Sequence, residues 1–72
     1  MTATLQKKIE EMVISELAKL GVSLPIDMQD NWNWMEKEIN FEGANYLIGG
    51  YVKRDIITRH IEIIDQQCLP MQ

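Results

Sequence analysis

The chain is expected to fold as an α+β domain in which one N-terminal helix packs on a three-stranded antiparallel β-meander (αβββ). Three observations predict this. Apolar residues recur at helical spacing as far as Leu20, the pattern breaks around Pro25, and after Asn31 short runs of isoleucine, valine and aromatic residues alternate between turn signals.

The helical stripe is formed by Leu5, Ile9, Met12, Val13, Leu17 and Leu20, with Lys7, Lys8, Glu10, Glu11 and Lys19 elsewhere on the circumference. The helix is expected to run from about Thr4 to Leu20. Thr2 or Thr4 would cap its start, and Gly21 would end it as a left-handed residue. Residues 21–33 hold Pro25 and the polar group Asp27, Gln29, Asp30 and Asn31, which breaks both periodicities and predicts a loop, with Leu24 and Ile26 pinning it to the core.

Strands are expected over Trp34–Phe41, Tyr46–Lys53 and Ile57–Asp65, with turns at Glu42-Gly43-Ala44-Asn45 and near Arg54-Asp55. Gly49-Gly50 offers a second hairpin position, ranked below Gly43. Alternation sorts Met35, Ile39, Phe41, Ile48, Val52, Ile57, Ile61 and Ile63 to the face that takes the helix. The opposite face carries Trp34, Glu36, Glu38, Leu47, Tyr51, Thr58, His60, Glu62 and Ile64. Gly50 would either admit the helix closely or mark a bulge. Residues 66–72, with Pro70 and no periodicity, are expected to fray.

At 72 residues the chain is read as a single small domain, 46% apolar and 25% charged. Such a domain buries only about 60% of its unfolded surface, so oligomerisation is an expected supplement. A net charge of -4 argues against general binding to a phosphate backbone and favours a basic partner. Cys68 is the single cysteine, which excludes an intrachain disulfide and a cysteine-based zinc framework. With no long apolar run and no basic-then-apolar start, the expected location is the cytoplasm.

Catalytic patterns fit poorly. A Cys68–His60 dyad would have to bridge eight positions of extended chain, and neither Ser15 nor Ser23 has a nucleophile-elbow context. His60 and Glu62, with Glu36 or Glu38, have a spacing that a metal could use, yet a lone histidine among exposed carboxylates is more often solvated. Glu36 and Glu38 as an acid–base pair would need a desolvated cleft that so small a domain is not expected to provide. The reading is therefore no enzyme, no metal and no cofactor. Tyr51 and His60 offer stacking surface, but with acids beside them direct nucleic-acid binding is not expected.

Charge distribution is the most informative feature. From Asp27 to Glu42 there are five acids against Lys37 alone, while the remainder balances at six acids and six bases. Trp32 and Trp34 lie in the same segment. Clustered acid steers a basic partner, and large aromatics anchor interfaces. The candidate partner-binding residues are thus Trp34, Glu36, Glu38, Asp30, Trp32, Tyr51 and His60, with Trp32 equally suited to closing the core edge. The expected function is a small non-catalytic interaction protein that docks on a basic protein, itself a candidate nucleic-acid-binding protein. An inhibitor or accessory protein of phage or mobile-element type, acting against host defence by nucleic-acid mimicry, is one concrete form. The alternative is a structural or regulatory homodimer that associates through Trp34, Leu47, Tyr51 and Ile64 on the sheet face.

Overall fold

The computed structural model describes residues 2–71 and has the expected αβββ order. Helix α1 spans Thr2–Val22, and after a 3-10 turn at Ile26–Met28 come strands β1 (Asn33–Phe41), β2 (Ala44–Arg54) and β3 (Ile61–Met71). The strands form one open antiparallel sheet in the order β1-β2-β3. The whole measures 41 × 22 × 16 Å, a long plate with the helix on one side.

The core lies where α1 crosses β2 and β3. Val13, Leu17, Leu24, Ile48 and Val52 are buried, and Ile9, Met12, Leu20, Met35, Ile39, Tyr46, Ile61, Ile63 and Cys68 pack around them. This matches the stripe of apolar helix positions except Leu5, which lies a turn beyond the core and is exposed, and most of the inner sheet face read from alternation. The helix makes far less contact with β1, so that strand's inner side is only partly covered.

Several boundaries differ from expectation. Gly21 does not end the helix; it is buried within it, and a Cβ there would meet Val52 Cγ1 at 2.9 Å and Ile61 Cγ2 at 3.2 Å. Its role is close helix–sheet approach. The end comes one residue later, where Arg54 Nη1 donates to the Val22 carbonyl at 2.7 Å and occupies one of the carbonyls that a helix leaves unpaired. The candidate caps Thr2 and Thr4 have side chains outside the described set. Leu24 is buried as expected, whereas Ile26 is 75% exposed, because the 3-10 turn rotates it outward.

The β1–β2 hairpin closes on Glu42 and Gly43, both with positive φ (51° and 85°), as a two-residue primed turn requires. Gly49 and Gly50 lie inside β2 and form no hairpin. At Gly50 both roles considered for it are realised. A Cβ there would meet Leu17 Cδ1 at 2.9 Å, and the β2–β3 register shifts between Gly49 and Tyr51. The extra β3 residue sits at Asp65–Gln66, with Asp65 at φ 54°, so the strand bulges there.

The third strand is displaced toward the C-terminus. Asp55 Oδ1 accepts the amides of Ile57 and Thr58, each at 2.8 Å, while the Asp55 amide donates to the His60 carbonyl. These local bonds hold residues 55–60 in a compact connection and override the strand propensity of Ile56-Ile57-Thr58. Ile57 is accordingly 89% exposed and outside the core. Residues 66–71, expected to fray, continue β3 instead: Cys68 pairs with Ile48, Leu69 with Leu47, Pro70 with Tyr46 and Met71 with Asn45. Pro70 is compatible because β3 is an edge strand, where a missing N–H need not interrupt a ladder.

Candidate functional site

Odd and even positions of β1 face opposite sides of the sheet, and this separates its charges. Lys37 turns to the helix side, where its Nζ donates to Glu16 Oε1 at 2.9 Å; Lys19 Nζ reaches Glu16 Oε2 at 3.1 Å. The two ammonium groups hold the Glu16 carboxyl below its ordinary range, the Lys37 hydrogen bond contributing most. Glu36 and Glu38 remain as the only charged side chains on the outer side of β1.

Beside them lies an aromatic pair. Trp34 stands opposite Tyr51, with ring centroids 5.1 Å apart at an interplanar angle of 73°, an edge-to-face contact. Trp34 also extends over Gly49, whose missing side chain makes room for the indole. Trp32 continues the row, with Lys53 Nζ 5.4 Å from its ring centroid in a cation–π contact. At the other end Asn40 Nδ2 donates to Asn45 Oδ1 at 3.0 Å. The outer face thus runs from Trp32 through the Trp34–Tyr51 pair to Glu36 and Glu38.

Five of the seven candidate residues, Trp32, Trp34, Glu36, Glu38 and Tyr51, are therefore brought together. Asp30 is not part of this face. With φ 64°, it accepts the Ile56 amide at Oδ1 (2.9 Å) and donates its own amide to the Arg54 carbonyl (2.8 Å), joining the segment before β1 to the β2–β3 connection. His60 also lies elsewhere. It closes that connection, its amide donating to Thr58 Oγ1, and so does not stand beside Tyr51 as alternation from Ile57 implied.

Residues overlooked by the sequence reading extend the outer face across β3. Beyond the Asp65 bulge the alternation changes phase, so Leu69 and Met71 join Ile64 and Leu47 on the outer side. Leu69 is 48% exposed. The run Cys68-Leu69-Pro70-Met71 has no polar–apolar alternation that could have marked them.

The Cys68–His60 and His60–Glu62–Glu36 groupings considered from the sequence are not brought together among the described residues. Cys68 faces the helix opposite Ile48, and burial pushes its thiol up, away from the reactive thiolate. Glu62 on β3 and Glu36 on β1 lie on opposite edges of the sheet, and among the described residues no three of His, Cys, Asp and Glu gather as a metal site. One depression, of about 620 Å³, is a shallow groove between α1 and β3 lined by Glu10, Glu11, Ile14, Ser15 and Gln66. Its volume is greater than so small a domain was expected to offer, but it is open to solvent and holds neither His60 nor the outer-face glutamates. Among the described residues no helix is long and apolar enough to cross a membrane. No protein-family model, curated protein or solved structure matches the chain.

Proposed function

We propose that this chain is a small non-catalytic interaction protein that docks the acidic, aromatic outer face of its sheet on a basic protein partner. One observation carries the reading. Lys37 is turned through the sheet onto Glu16, which leaves Glu36 and Glu38 unneutralised beside the exposed Trp34–Tyr51 pair. An apolar anchor next to a charged rim is the arrangement in which the rim sets association rate and the anchor sets residence time. A reducing compartment suits the free Cys68 thiol, and the cytoplasm is the proposed place of action. Inhibition of a nucleic-acid-binding protein by charge mimicry, in the manner of phage or mobile-element accessory proteins, is the form of this function most consistent with the acidic balance.

The experiment is capture of the partner from host lysate, followed by association kinetics with purified components. Replacing Glu36 and Glu38 by Lys should slow association and reverse its salt dependence, while Trp34→Ala should mainly speed dissociation. If both variants bind as the parent does, and substitutions at Lys7, Lys8 and Glu11 abolish binding, the helix exterior is the working surface and the proposal fails.

A second reading is favoured by the apolar residues Leu47, Tyr51, Ile64, Leu69 and Met71 on that same face: a homodimer formed face to face. Sedimentation distinguishes the two. A mass near 8.4 kDa at micromolar concentration leaves the face free for a different partner.

A further inference from the structure

The two edges of the sheet are not equivalent. β3 is interrupted by the bulge at Asp65 and lacks an N–H at Pro70, two features that discourage pairing with another strand. β1 is nine residues long, carries neither a proline nor a bulge, and among the described residues pairs on one side only, with β2. Its free edge is a template for one more strand. Because α1 lies over β2 and β3, the inner side chains Met35, Ile39 and Phe41 stay half-exposed along this edge.

Charge decides what that strand would be. Directly opposed side chains of antiparallel strands share a face and lie about 4.5–5.5 Å apart at Cβ, so like charges repel there. A second copy pairing β1 with β1 about a two-fold axis at Glu36 sets Glu36 against itself. An axis at Lys37 sets Glu36 against Glu38 and Lys37 against Lys37; one at Glu38 sets Glu38 against itself. Moving the axis further shortens the pairing. The alternation Glu36-Lys37-Glu38 therefore opposes self-association along this edge and favours a strand with Lys or Arg at the two outward positions.

We propose that the open edge of β1 accepts an extended basic segment of the partner as a fourth strand. Lys or Arg at alternate positions would stand opposite Glu36 and Glu38, and the intervening apolar side chains would cover Met35, Ile39 and Phe41. This inference rests on the basic partner proposed above and adds the mode of binding. It makes the backbone of β1, and not only its carboxylates, part of the interface.

The test uses the whole chain and three blocked nine-residue peptides that alternate lysine with valine. One is unmodified, and the other two carry N-methyl groups on one or the other alternating set of amides. Only one set of amides in a paired strand points toward β1. The unmodified peptide should bind, one N-methylated peptide should lose at least tenfold in affinity, and the other should bind like the parent. Alternate β1 amides should also gain at least tenfold in hydrogen-exchange protection when the unmodified peptide binds. Equal binding by all three peptides, lost in the Glu36→Lys/Glu38→Lys variant, overturns strand addition while leaving the acidic docking face standing. Binding that survives this charge reversal overturns both, and no binding of the unmodified peptide overturns strand addition.

Discussion

The indole of Trp34 lies across Gly49 on the neighbouring strand, so close that a methyl group on the glycine would meet Trp34 Cζ2 at 2.9 Å. The glycine therefore shapes the aromatic outer face of the sheet. Gly49→Ala should lift Trp34 from its edge-to-face contact with Tyr51 and reduce the near-ultraviolet circular dichroism, with the far-ultraviolet spectrum retained. Gly50→Ala acts on the other side of the sheet, where a Cβ meets Leu17 Cδ1 at 2.9 Å and the Gln66 Cα at 3.2 Å. Overpacking there should cost about 1–3 kcal/mol in urea unfolding. A Gly50 variant as stable as the parent would show that the helix seat is looser than described.

Three positions in one stretch separate core from surface. Ile61→Asp should prevent folding, because it places a carboxylate against Gly21 beneath the helix. Glu62→Lys, on the outer face, should fold normally. Ile57→Lys should also fold, since Ile57 is 89% exposed in the connection. Thermal unfolding of the three proteins checks the register of β3; a collapsed Ile57→Lys variant would contradict it.

Acid should weaken the link between helix and sheet. Glu16 has its folded-state value lowered by Lys37 and Lys19, so its stabilising effect is fully present above the ordinary value of 4.5 and is lost as pH falls through the lowered one. Lys37 is 43% exposed, and solvent screening limits the pair to about 0.5 kcal/mol. A Glu16→Gln/Lys37→Met double-mutant cycle should show this coupling at pH 7 and none near pH 2.

Asp55 should govern the order of the β2–β3 connection. The Thr58 and Ile57 amides that it accepts lower its carboxyl value, so its effect is present above about 3.8 and fades as pH falls through the lowered value. Asp55→Ala should accelerate amide exchange at Ile57 and Thr58 at neutral pH, while leaving Ile48 and Val52 protected. Unchanged exchange at the two loop amides would remove the side-chain tether from the account.

The helix, the number of strands and most of the inward residues were legible in the sequence, because local periodicity determines which side chains can share an apolar face. The turn at Gly43 was legible for a similar reason, since glycine tolerates positive φ, although Ala44 and Asn45, expected in the turn, belong to β2. The acidic segment and its tryptophans were equally plain from counting charges. Local hydrogen bonds misled the reading at Asp55 and at Asp30. There, side-chain oxygens bind backbone amides and turn β-branched or acidic residues to structural use. Only the tertiary structure decided that residues 66–71 join the sheet, because their place depends on pairing with β2 across a bulge that no local pattern encodes. It alone also paired Lys37 with Glu16, a residue 21 positions away, whereas alternation had already set Glu36 and Glu38 on the other face. Periodicity is a property of neighbours along the chain, whereas strand pairing and charge neutralisation depend on neighbours in space.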